Sequence, residues 1–88
     1  MVSVSNFRGI TIHMYIDPTA NHPVPHFRAY FSKSSATFAI KPLEVLAGDL
    51  PNRQMRFILA WAEIHQAELE ENWRSLQKNR ALAKIEGI

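Results

Sequence analysis

Gly9-Ile10-Thr11-Ile12-His13-Met14-Tyr15-Ile16 decides the fold. Ile10, Ile12, Met14 and Ile16 fall on one side of an extended chain, and Thr11, His13 and Tyr15 fall on the other. This period-two alternation marks a strand with one buried face. Downstream, Asp17-Pro18-Thr19-Ala20-Asn21-His22-Pro23-Val24-Pro25 carries three prolines with Asp and Asn, residues that fix φ, remove donors and favour turns, so it reads as a stiff loop.

Alternation resumes beyond the loop. Phe27, Ala29 and Phe31 oppose His26, Arg28, Tyr30 and Ser32, and after Lys33-Ser34-Ser35 a third run sets Ala36, Phe38 and Ile40 against Thr37, Ala39 and Lys41. An antiparallel meander of three strands follows, or of four if Glu44 to Leu46 adds a short one.

At Asp49-Leu50-Pro51 the period changes to three and four, through Met55, Ile58, Leu59, Ala62, Leu69, Trp73 and Leu76. With Asp49 as N-cap and Pro51 in the first turn, one long helix is expected over 50–79. Its apolar stripe can only be buried on the Ile10, Ile12, Met14, Phe27, Ala29, Phe31, Phe38, Ile40 face. The expected architecture is α+β in a single domain over 1–88: sheet within 9–47, helix over 50–79 on one sheet face, and a tail over 80–88 that docks as a short strand or stays loose. The opposite face then displays Thr11, His13, Tyr15, His26, Arg28, Tyr30 and Thr37.

The chain has 88 residues, 10.1 kDa. At that mass about 5,300 Å² stays accessible of about 14,600 Å² extended, room for one core. A hydrophobic content of 47% with nine aromatic residues excludes a disordered chain. The absence of cysteine excludes disulfides and thiolate chemistry. No signal-peptide pattern and no run of roughly 18 apolar residues occurs, so a cytoplasmic protein off the membrane is expected. The net charge is +2, with four basic and two acidic side chains in 1–48 and six of each in 49–88. That excess permits an anionic partner, nucleic acid included, without the dense basic stripe that announces one.

Phe7-x-Gly9-Ile10-x-Ile12-x-Met14-Tyr15, His22-Pro23-Val24-Pro25-His26-Phe27-Arg28-Ala29, Gly48-Asp49-Leu50-Pro51, Trp61-Ala62-Glu63-Ile64-His65 and Glu71-Asn72-Trp73 together resemble a bacterial family of small proteins, domain of unknown function forty-one-sixty. The resemblance covers nearly the whole chain and brings no established activity. It implies a cytosolic protein of bacteria or phages, encoded beside another small protein in an arrangement that suggests a toxin and antitoxin. The family's loop reads His-x-Pro-Pro-His-Phe-His-Ala; here Val24 replaces one proline and Arg28 the last histidine.

Several constellations bear chemistry. His22 and His26 flank a rigid Pro-Val-Pro, with His13 brought near by strand pairing. Imidazoles so placed suit a metal ion or an acid-base pair, or serve as hydrogen-bonded loop and strand residues. His13 and His26 beside Arg28 would suit a metal-independent ribonuclease: one imidazole deprotonates the 2′-hydroxyl, the other protonates the leaving oxygen, and the guanidinium stabilises the pentacoordinate phosphate. Tyr15 or Tyr30 would stack a base. The plain alternative is a sheet face that is polar because it meets water. Arg53 and Arg56 sit in the opening turns of the helix, where the macrodipole disfavours cations, and with Arg28 would bind a phosphate or an acidic partner, or else pair with Asp49 or Glu44. His65 and both tryptophans read as structural anchors.

No phosphate loop, nucleophile elbow or catalytic carboxylate pair occurs, and no cofactor is expected. The leading expectation is a non-enzymatic module that docks a neighbouring gene's product or a second copy of itself. The rival is the ribonuclease-type toxin, and a third class is nucleic-acid binding without cleavage.

Overall fold

The computed structural model describes residues 2–15 and 24–88. It is α+β: five strands, β1 (Val2–Phe7), β2 (Ile10–Met14), β3 (His26–Phe31), β4 (Ser34–Ala39) and β5 (Glu44–Asp49), then helices α1 (Asn52–Ile64) and α2 (Gln66–Gln77). The strands form one antiparallel sheet in sequence order.

The expected face division holds for the centre of the sheet. Ile10, Ile12, Met14, Phe27, Ala29, Phe38 and Ile40 are buried in one cluster with Ile58, Trp61, Ala62 and Leu69 of the helices. Trp61 is its centre, with its ring 5.2 Å from that of Phe7 and 5.8 Å, edge-on, from that of Phe27. Phe31, at the end of β3, is only half-buried.

Three expectations need correction. The sheet has five strands, because Val2–Phe7 pairs with β2 and Glu44–Asp49 extends the short fourth strand to six residues. β1 hides its periodicity behind a bulge: Ser3 faces His13 while Ser5 faces Ile12, so the pairing slips by one residue at Val4. Val4 and Phe7, three residues apart, are then both buried, which no unbroken alternation allows. On β5 the continuation runs through Gly48 at φ +82°, where a Cβ would lie 2.4 Å from the Ser35 carbonyl oxygen. Only glycine fits that close approach to β4.

The single helix is in fact two, divided at His65 (φ −104°, ψ 23°). A straight helix over 52–77 would measure about 39 Å at 1.5 Å per residue, and the molecule's longest axis is 34 Å. The bend returns Leu69 to the core, where it is fully buried. Asp49 does not cap α1 from the N-cap position, which Pro51 holds; its Oδ1 instead accepts the Leu50 N–H at 3.0 Å.

Of the two alternatives for the tail, docking is observed, without regular strand structure. Ile85 donates its N–H to the Val4 carbonyl at 2.7 Å and buries its side chain. The Asn72 amide bonds both the N–H and the C=O of Ala83 at 2.9 Å, and Trp61 Nε1 donates to the Glu86 carbonyl at 2.8 Å. The tail therefore covers β1 at its bulge, where a carbonyl would otherwise be left without a donor.

Candidate functional site on the open sheet face

Strand register writes the uncovered face as two cross-strand rows. One reads Ser3, His13, Arg28, Thr37, Ala47 from β1 to β5, and the other Asn6, Thr11, Tyr30, Ser35, Asp49. His13 and Arg28 are thus direct neighbours across β2 and β3, at the separation where side chains interact.

Arg28 is the hub. Its Nη2 donates to Ser35 Oγ at 3.1 Å, and its Cζ lies 5.5 Å from the Tyr30 ring centre. The His13 and Tyr30 rings are 5.0 Å apart, and the Tyr30 phenol hydrogen-bonds with Tyr15 and Arg28. Burial, followed by the neighbouring Tyr15 phenol, pushes the Tyr30 hydroxyl above its ordinary value, while Arg28 pulls the other way. Burial also holds the His13 imidazole below its ordinary 6.5, aided by nearby positive charge that includes Lys84. His13 is therefore neutral at pH 7. Two nitrogens here, His13 Nδ1 and Arg28 Nε, are buried with no hydrogen-bond partner among the described residues. Among the described residues Arg28 is in no ion pair; those found there are His65–Glu68 and Arg74–Glu71.

His26 departs from its expected place on this face. It opens β3, where α2 closes over the strand end through Gln66 Nε2 to the Ile40 carbonyl, and Ile40 N–H in turn bonds the Pro25 carbonyl. Its ring is buried 5.0 Å from that of Trp73, and its Nδ1 donates to the Val24 carbonyl at 2.9 Å. Thr37 keeps its place in the row beside Arg28 but is buried there rather than displayed. His22 lies outside the described residues, so the His22–His26 metal reading is not addressed; among the described residues no three His, Asp or Glu side chains gather as a metal site.

Arg53 and Arg56 are exposed on α1 and, among the described residues, form no ion pair with Asp49 or Glu44; Asp49 Oδ1 accepts the Leu50 N–H, and no acidic residue stands in the first turn. The structure couples Arg53 with a residue the sequence did not single out. Arg8, in the β1–β2 turn, and Arg53 both lie over the Phe57 ring, at 4.6 and 5.6 Å. In the sequence Arg8 fell on an unspecified position of Phe7-x-Gly9, and nothing in the spacing tied it to α1. His65 is half-buried at the helix division, donating from Nδ1 to Glu68 Oε1 at 2.5 Å with its ring 5.8 Å from that of Trp61, a structural anchor as expected.

Chemically, the open face offers one neutral imidazole beside one guanidinium and two linked phenols. That set can bind an anion and stack a planar group, and among the described residues it holds no second imidazole for concerted acid-base work. No helix is long and apolar enough to cross a membrane among the described residues. The family model for Domain of unknown function (DUF4160) matches residues 9–74, and the chain belongs to that family. No curated protein and no solved structure matches the chain.

Proposed function

We propose that this member of the family is a non-enzymatic interaction module of the cytoplasm whose open sheet face docks an acidic segment of another protein. The observation that carries the reading is Arg28, half-buried on an uncovered face with no carboxylate beside it among the described residues. A half-buried guanidinium gains most from a counter-charge delivered with fixed geometry, and a partner's Asp or Glu supplies it bidentately. Tyr15 and Tyr30 flank it with large amphipathic rings of the kind that anchor interfaces. A second copy of the chain would bring Arg28 against Arg28, so the favoured partner is a different protein. The product of a neighbouring gene fits, and such a pair would form a two-gene system of toxin–antitoxin type.

The test is size-exclusion chromatography with light scattering on the chain alone and with the adjacent gene's product. A defined heteromeric complex is expected, abolished by Arg28→Glu and retained by Lys33→Glu. A chain that stays monomeric and binds nothing sinks the proposal, and a homo-oligomer insensitive to Arg28→Glu replaces it with self-association.

The ribonuclease reading keeps one supporting observation, the His13–Arg28 pairing. It loses its second imidazole, since His26 is buried against Trp73 with Nδ1 committed to a carbonyl. Growth arrest on expression, with cleavage of RNA by the isolated chain, that is relieved by both His13→Ala and Arg28→Glu would favour it over docking.

A further inference from the structure

The cross-strand row that holds Arg28 has a charged continuation at its β1 end. His13 is the register neighbour of Arg28, and Ser3 is that of His13. The exposed Lys84 of the tail donates from Nζ to the Ser3 carbonyl. Arg28, His13 and Lys84 thus succeed one another from β3 to the outer edge of β1. Among the described residues neither Arg28 nor Lys84 is in an ion pair, and the row itself contains no Asp or Glu. Adjacent strands lie about 4.8 Å apart and an extended chain advances about 3.3 Å per residue, so a segment of roughly three or four residues laid across the strands reaches from Arg28 to Lys84.

His13 is the member of this row whose charge varies near neutral pH. It is half-buried, its ring stands 5.0 Å from that of Tyr30, and its Nδ1 has no hydrogen-bond partner among the described residues. The charged and titratable groups around it are Arg28 and Tyr30 from β3, Tyr15 just beyond β2, Lys84 from the tail, and the amino-terminal charge. In the free chain Lys84 and the amino terminus oppose a proton on His13, as burial does. A carboxylate brought to Arg28 stands about one strand spacing from His13, close enough to favour the imidazolium. The proton gained turns two fixed cations flanking a neutral ring into a continuous cationic strip.

Resting on the docking proposed above, we infer that the acidic segment lies across the strands along Arg28, His13 and Lys84, and that His13 takes up a proton as the segment arrives. Docking then tightens as pH falls below neutrality, because the complex binds more protons than its separated parts.

The full-length chain is titrated against fluorescein-labelled hexaglutamate by anisotropy at about pH 7 and about pH 5.5, both above the ordinary glutamate range, with hexaglutamine as the uncharged control. Affinity for hexaglutamate rises about fivefold to tenfold at the lower pH. His13→Gln, which cannot take up the proton, binds within about twofold of the parent at about pH 7 and loses the gain. Lys84→Gln weakens binding about threefold at both pH values. His65→Gln, a histidine off the row, keeps the gain. By NMR, the titration of the His13 imidazole moves to higher pH when hexaglutamate is present.

A gain of the same size in His13→Gln assigns the proton to another group and overturns the inference, as does affinity that stays level or falls at the lower pH. If such pH-independent binding is still lost in Arg28→Glu, docking on this face stands without the proton. Binding left intact by Arg28→Glu removes the face from both roles. Unchanged binding in Lys84→Gln overturns the path across the strands, and so does hexaglutamate that fails to bind at either pH, in which case docking is judged by the heteromer with the adjacent gene's product. Circular dichroism at both pH values checks that each variant is folded. The NMR titration is made on the parent chain, so an imidazole unmoved by hexaglutamate overturns the proton uptake even if His13→Gln does not fold.

Discussion

His26 lies against Trp73, ring centres 5.0 Å apart and planes inclined by 52°, so a histidine that strand alternation assigns to the open face is instead sealed beneath α2. The carbonyl of Val24 can only accept, so the Nδ1 of His26 carries the proton in this arrangement. The pair locks the start of β3 to the second helix. It also separates His26 from His13 and Arg28, which share the cross-strand row that the face presents.

His26→Ala and Trp73→Ala should each destabilise the chain, and less together than the sum of the two. A coupling of about 0.5–1.5 kcal/mol is expected for a ring pair of this kind. Urea unfolding of the two single variants and the double variant measures it; strict additivity would show that the rings touch without interacting.

The depressed His13 ionisation makes stability depend on pH. Burial disfavours the imidazolium in the folded chain, so the unfolded chain binds the proton first as pH falls below 6.5. The stability contributed by His13 is therefore present above 6.5 and lost as pH drops through the lower folded value. Urea midpoints compared at about pH 7.5 and about pH 5 should fall less for His13→Gln than for the parent. An equal fall in both assigns the acid sensitivity to other groups.

Asn72 holds the tail with both ends of its amide and is itself buried. Asn72→Ala leaves the N–H and C=O of Ala83 without those partners, a cost of about 1–3 kcal/mol, or a drop of roughly 4–8 °C in Tm for each kcal/mol in a domain of this size. Hydrogen exchange should then accelerate at the Ile85 amide, which is bonded to Val4. Unchanged protection there would mean that Ile85 burial alone secures the tail.

At Gly48, alanine would place its Cβ 2.4 Å from the Ser35 carbonyl oxygen, at a φ of +82°. Both the clash and the left-handed backbone oppose it, and Gly48→Ala should cost more than the roughly 1 kcal/mol typical of a positive-φ glycine alone. Alanine at Gly9, where the nearest side-chain atom is 3.4 Å away, should cost less. Thermal unfolding of both variants orders the two, and a reversed order would mean that β5 yields freely at Gly48.

Legibility followed the reach of each interaction. Strands β2, β3 and β4 were readable because their sequences alternate and the apolar set of each is buried, even though His26 and Thr37 of the opposite set are buried as well. β1 was not, since its bulge at Val4 shifts the phase by one residue between Ser3 and Ser5. The division of the helix at His65 carries neither Gly nor Pro, so no local breaker in the sequence announced it. Of the candidate site, Tyr15, Arg28, Tyr30 and His13 were found by alternation alone. Arg8 was missed because its partnership with Arg53 joins a hairpin turn to a helix 45 positions later.

By itself the amino-acid sequence determined the α+β class, the apolar face of the central strands and the cations available to the open one, because hydrophobic periodicity and charge are properties of neighbouring residues. Tertiary structure alone decided that His26 turns under Trp73, that Phe57 collects two arginines and that the tail seals β1. Those outcomes depend on which distant groups compete for the same buried volume or the same donor, and that competition exists only once the chain has closed on itself.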